Sequence, residues 1–183
     1  DIRVAGFDAV DPQALVSWGS YLWIVLKQTW IRKQGDDPIN WAFKKTFSSH
    51  GITAPHSVDL SSMGVFGVST PENGDIGVSL FNGQSSELIT SPRLDQLFKS
   101  DLDVAKIADC CGRVGGKYYF LLYPSVDGTE KILAIDLRRH PDDRVGYWTD
   151  LYGHSIDVDK QSSKFFLGGS DGYVRSMILW GKS

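Results

Sequence analysis

The stretch HSVDLSSMGVFGVSTPENGDIGVSL (His56–Leu80) and the stretch HSIDVDKQSSKFFLGGSDGYVRSMI (His154–Ile178) follow one plan, 98 residues apart. Each opens on His-Ser-(β-branched)-Asp, passes through a short polar segment into an apolar run, and turns at Asn-Gly or Asp-Gly into a second alternating run. The repetition extends further. WGSYLWIVL, SSMGVFGVS, GGKYYFLLY and SSKFFLGGS each place a small polar or Gly lead-in before an apolar strand. With Leu22, Val65, Tyr118 and Phe165 as equivalents, the steps are 43, 53 and 47 residues. A period of that size predicts a β-propeller or another repeat architecture.

The turn chemistry agrees. Asn73-Gly74, Asn82-Gly83, Asp127-Gly128 and Asp171-Gly172 are dipeptides that supply positive φ in tight hairpins. Each unit reads as strand, turn, strand, loop and an outer strand, the last supplied by INWAFKKTF, SELIT and VGYWTDLY. One helix is predicted in SPRLDQLFKS, with Ser91 as N-cap, Pro92 at the first helical position and Leu94, Leu97 and Phe98 on one face. The fold class expected is all-β: a propeller-like array of about four blades, the last one incomplete, with one short helix between repeats. It forms a single domain or fragment over 1–183, with repeats near 11–50, 51–100, 101–152 and 153–183. Propellers usually need four to eight four-stranded blades. Either the opening DIRVAGFDAV adds a strand that closes the ring, or the array is open and another chain covers its edges.

Composition narrows the function classes. With 42% hydrophobic and 12% aromatic residues the chain has ample material for a core, and 19 glycines suit many strands and turns. A net charge of −3 points to no global nucleic-acid or acidic-membrane partner. YLWIVL and YYFLLY are the longest strongly apolar runs, far short of the roughly 20 residues of a membrane-spanning helix. No basic-then-apolar leader is legible, and a start at Asp1 is expected of a processed chain or of part of a longer protein. The adjacent Cys110 and Cys111 supply neither a disulfide framework nor a zinc site, and read as buried or half-buried thiols.

Motifs with catalytic potential are few. GGSDG (Gly168–Gly172) matches G-x-S-x-G, but a nucleophile elbow needs a helix after the Ser, and YVRSMI alternates as a strand. His154, Ser155 and Asp157 hold the residue types of a triad. Neighbours on a strand diverge, however, and the set recurs at His56, Ser57 and Asp59. A repeated structural element, with Ser or Asp bonding to backbone amides, explains the recurrence. DVDKQSS lacks the central Gly and terminal Glu of a calcium loop, and SVDGTEK lacks the closing aromatic of an Asp-box turn. No enzymatic activity, cofactor or metal is expected.

The polar insertions IRKQGDDP and RRHPDDR, if not simply solvated loops, are placed to meet neighbouring subunits. Trp23, Trp41 and Trp148 lie in apolar strands and are assigned to the core, whereas Trp30 and Trp180 look free to reach an interface. The candidate subunit-interface set is therefore Trp30, Arg32, Lys33, Asp36, Asp37, Arg138, Arg139, Asp142, Asp143, Arg144 and Trp180.

GITAPHSVDLSSMGVFGVSTPENGDIGVSLFNGQSSELITSPRLDQLF (Gly51–Phe98) resembles a segment of β-propeller virion proteins of tailed bacteriophages. The shared features are a Gly-x-x-Ala-Pro-x-Ser opening, a strand, a Gly-containing hairpin and an Ile-Ser/Thr-x-Pro helix start. GGKYYFLLYPSVDGTEKILAIDLRR and the residues to Ile178 look like the blade that follows. The resemblance implies a structural virion component, made in the host cytoplasm and placed in a tail nozzle, hub or collar. Its partners would be copies of itself in a symmetric ring and other tail proteins. The chain is shorter than such proteins usually are. The alternative reading is a glycan-binding propeller for receptor recognition. That reading needs one aromatic on the same loop of every repeat, and Trp41 and Trp148 have no partner in the middle repeat. A serine hydrolase centred on Ser170 is the third.

Overall fold

The computed structural model describes residues 12–72, 74–90, 94–139, 146–149, 153–162 and 164–178. These form four antiparallel sheets, each running in chain order as a simple meander, and none closes into a barrel. The first sheet holds β1 (Ala14–Trp18), β2 (Tyr21–Val25), β3 (Trp30–Gln34) and β4 (Ala42–Lys45). The second holds β5 (Asp59–Ser61), β6 (Gly64–Ser69), β7 (Gly77–Phe81) and β8 (Ser86–Leu88). The third holds β9 (Cys111–Gly115), β10 (Tyr118–Pro124), β11 (Glu130–Asp136) and β12 (Gly146–Thr149), and the fourth β13 (Ser155–Asp159), β14 (Lys164–Gly168) and β15 (Val174–Ile178). The all-β expectation is met. Leu22, Val65, Tyr118 and Phe165 each fall on the second strand of a sheet. The two HSxD stretches open the second and fourth sheets, two sheets apart.

The sequence separates sheets that bury both faces from those that bury one. In β6 (GVFGVS) and β7 (GVSLF) every residue is buried, and β10 and β11 are buried over five of their seven residues each. Runs of this kind belong to sheets covered on both sides, whereas β13 (SIDVD) alternates exposed and buried as a one-sided strand does. Three clusters fill the gaps between consecutive sheets. Trp23, Val25 and Trp30 of the first sheet pack on Val65 and Phe81 of the second. Phe66, Val68, Val78 and Leu80 on the other face of the second sheet meet Tyr119, Leu121, Leu133 and Ile135 of the third. The opposite face of the third, with Phe120, Leu122, Ile132 and Ala134, meets Ile156, Val158, Phe165 and Leu167 of the fourth.

The helix forms over α1 (Asp95–Asp101), and the Ser91 and Pro92 expected to start it lie outside the described residues. Phe98 is the buried anchor, beside half-buried Leu94, and both join the cluster between the second and third sheets. Asp101 at the helix end accepts from Tyr123 Oη (2.9 Å), Ser125 Oγ (2.8 Å) and Lys131 Nζ (2.8 Å). These contacts outweigh partial burial and hold its carboxyl below the usual range.

Two tryptophans depart from the sequence reading. Trp30 is fully buried, its ring stacked on Phe81 at 4.0 Å and 5°. It opens β3 facing the second sheet, so it presents no surface to a partner. Trp41, assigned to the core, is exposed just before β4 and carries Lys33 Nζ over its ring at 4.6 Å. The insertion IRKQGDDP is also only half loop, because Ile31–Gln34 lies within β3.

Phe81 touches both Trp30 and Trp23, the latter edge-on at 5.0 Å. Phe81→Ala is expected to cost about 3–5 kcal/mol. Phe47→Ala, at a ring 99% exposed, should change stability by less than about 0.5 kcal/mol. Urea unfolding followed by Trp fluorescence compares the two.

Candidate functional site

The residues that give the chain its repeat also join one sheet to the next. Pro55 opens a 3₁₀ turn, Pro55–Ser57, that brings Ser57 into the core. The Ser57 hydroxyl donates to the Ala54 carbonyl (2.7 Å) and accepts from the Val68 amide (2.8 Å). Its carbonyl accepts from Tyr119 Oη of the third sheet at 2.6 Å. Asp59 Oδ1 accepts from the Leu60 amide (2.8 Å), and Asp59 Oδ2 from the Val114 amide on β9 (2.6 Å). Phe66, paired with Asp59 across the ladder, lies against the Tyr119 ring at 5.5 Å. Gly112 makes this approach possible, since a Cβ there would stand 2.0 Å from Tyr119 Oη and 2.7 Å from the Ser57 carbonyl. Burial raises the Tyr119 phenol well above its ordinary pKa, so it remains a donor. Asp59 and Phe66 therefore form a two-point latch, polar at the carboxylate and aromatic at the ring.

The second HSxD copy repeats half of this. Asp157 Oδ1 accepts from the Val158 amide (2.9 Å) and from Arg113 Nε on β9 (3.3 Å). Arg113 also donates to the His56 carbonyl (3.1 Å), and Lys160 reaches Asp59 Oδ1 at 3.0 Å. The first strands of the second, third and fourth sheets thus lie side by side, tied by alternating acidic and basic groups. The Asp157 side chain is 76% exposed, and among the described residues nothing bonds its Oδ2.

A cleft of about 540 Å³ opens at the opposite end of the third and fourth sheets, between two copies of one turn. Ser125 N donates to Thr129 O (2.7 Å), and Gly169 N to Tyr173 O (2.9 Å). Gly128 and Gly172 take φ of 84° and 79°. Asp127 Oδ1 accepts from the Thr129 amide, and Asp171 Oδ1 from the Tyr173 amide. Four residues on, Lys131 and Arg175 pair with these carboxylates. Hydrogen bonds from Thr129, with Lys131 behind them, hold Asp127 well below the usual carboxylate range, and the hydrogen bond from Arg175 lowers Asp171. Glu130 bonds His154 Nδ1 in this cleft, and Ser170 lines it. Ser170 stands in a hairpin turn followed by β15, with no helix behind it, and among the described residues no hydrogen bond joins it to His154. Among the described residues no three His, Cys, Asp or Glu side chains converge as a metal site.

The interface candidates divide. Arg32 is half-buried with its guanidinium over Tyr21 at 4.6 Å, and Lys33 covers Trp41. Asp36 and Asp37 are exposed, and Asp37 caps Pro38–Asn40 by accepting from the Ile39 amide (3.0 Å). Arg138 turns back onto Asp136 (Nε–Oδ1 2.8 Å) and Tyr118 Oη (3.0 Å), and Arg139 Nε stands 3.9 Å from Asp136 Oδ2. Asp142, Asp143, Arg144 and Trp180 lie outside the described residues. Sequence reasoning missed Asp59 and Phe66 as contact residues, although the HSxD repeat marked the place. Comparison of the chain with protein-family models and with curated proteins finds no match.

Asp136 is 3% exposed, and hydrogen bonds from Arg138 hold its carboxyl below the usual value of 3.8 against the opposing effect of burial. A carboxyl depressed on folding stabilises above its unfolded pKa, and that stability is lost as the pH falls through the folded value. Asp136→Asn should therefore cost about 1.5–3 kcal/mol at pH 7. The gap to the unaltered chain should close below the ordinary value of 3.8. Urea midpoints across that range measure it.

Proposed function

We propose that this chain is a structural subunit of a tailed-phage virion, its four sheets acting as blades of an open propeller-like array. Copies assemble into a symmetric ring in a tail nozzle, hub or collar. The observation that carries the reading is the contrast between inner and end sheets. The second and third sheets bury both faces, while the first sheet leaves Leu15 67% and Leu22 39% exposed on its outer face. Repeat arrays that work alone end in polar caps. An apolar end face suits a molecule whose neighbours are other subunits. The side-by-side first strands of three sheets support a blade-like placement about a common axis. The cleft chemistry, with its acids and bases paired to one another, favours a role in assembly over one in catalysis.

Light scattering after gel filtration, with negative-stain imaging of the peak, tests this. A defined multimer with ring-shaped particles is expected. A chain that stays monomeric at high micromolar concentration overturns the reading.

A further inference from the structure

The fourth sheet repeats part of a contact that the second sheet makes inside the molecule. On the second sheet, Asp59 and Phe66 are cross-strand partners, and together they grip Val114 and Tyr119 of the third. On the fourth sheet, Asp157 and Phe166 are likewise cross-strand partners, across a hairpin two residues longer. The likeness extends to one carboxylate oxygen. Each aspartate Oδ1 accepts from the next residue's amide and from one cation, Lys160 for Asp59 and Arg113 for Asp157. Asp59 Oδ2 then takes the amide of the following sheet, whereas among the described residues no group donates to Asp157 Oδ2.

The receiving half stands on the first sheet. Two-residue hairpins join β1 to β2 and β9 to β10, closing on Trp18–Tyr21 and Gly115–Tyr118. Counting back from that closure, Ser17 and Leu22 face each other as Val114 and Tyr119 do. Leu15 stands where the third sheet has Gly112, so this face can receive the carboxylate and the ring but not the close approach that the Ser57 carbonyl makes. Ile31, farther out on this face, is buried, so the open area lies over β1 and β2, matching the strands that receive the latch in the third sheet.

We infer that the fourth sheet of one copy docks on the first sheet of the next, with Asp157 against the Ser17 amide and Phe166 against Leu22. The surfaces differ on the two sides, so the contact is head-to-tail and propagates into a ring or a filament. It rests on the reading of the chain as a ring-forming subunit and supplies the contact that builds the ring.

Leu22→Cys and Phe166→Cys chains, prepared separately in a Cys111→Ser background, are mixed and treated with a short bismaleimide. Cys110 is buried, and burial pushes its thiol up to about 12, which leaves it inert. The expected result is a mixed Leu22–Phe166 cross-link about tenfold stronger than either same-variant product, as a head-to-tail contact requires. Leu22→Glu in the otherwise unaltered chain, at a side chain exposed on the outer face of the first sheet, should lower the native mass while the urea midpoint of the dilute chain holds. Multimers that form without the mixed cross-link, or that survive Leu22→Glu at full mass, overturn the head-to-tail contact and leave the ring reading standing. A monomer in the unaltered chain overturns both.

Discussion

Burial between consecutive sheets is the constraint on which the rest depends. Among the described residues no backbone ladder joins one sheet to another, so the hydrogen bonds within the meanders hold strands and not the molecule. The second and third sheets have two apolar faces, and neither face tolerates water over its full width. Their residues are stable only with a sheet on each side. That requirement fixes the sequential order of packing and explains why the chain repeats itself. Each unit has to offer one face to its predecessor and another to its successor.

Apolar packing alone leaves the sheets free to slide. The directional contacts sit at the first strands, where Asp59, Ser57 and Arg113 reach across to an amide, a phenol or a carboxylate of the adjoining sheet. A carboxylate that accepts a backbone N–H fixes a strand in register more sharply than two leucines do, since the bond fails beyond a few tenths of an ångström. At the opposite end Asp127 pairs with Lys131 and Asp171 with Arg175 inside their own turns, and Glu130 with His154 crosses from the third sheet to the fourth. Structural duty at one end and self-paired turns at the other leave the open end faces as the prominent unmet requirement. The proposal of a ring-building subunit follows from that imbalance.

Much of the fold was legible because it is local. Asp-Gly at 127–128 and 171–172 gave hairpins with glycine at positive φ, and the four apolar runs gave second strands. The helix was legible from Leu94 and Phe98, although it runs over Asp95–Asp101. What escaped was long-range. Trp30 follows the polar segment Lys27–Thr29 and precedes Arg32 and Lys33, so its neighbours suggested a surface, yet Phe81 lies 51 residues on in sequence. Asp59 reads as a turn residue until Val114, 55 positions away, is placed beside it. The HSxD repeat showed that something recurred, and the register of two sheets was needed to show what it held.

The most direct measurement of this design is the hydrogen-exchange rate of the Val114 amide, read by NMR in the unaltered chain and in Asp59→Asn. Val114 lies on the first strand of its sheet, where an amide turned to the open edge exchanges quickly unless something covers it. Strong protection in the unaltered chain is expected, with selective loss in the variant while the amides of β10 and β11 keep theirs. Fast exchange at Val114 from the outset, or protection indifferent to Asp59, would contradict a latch between the sheets.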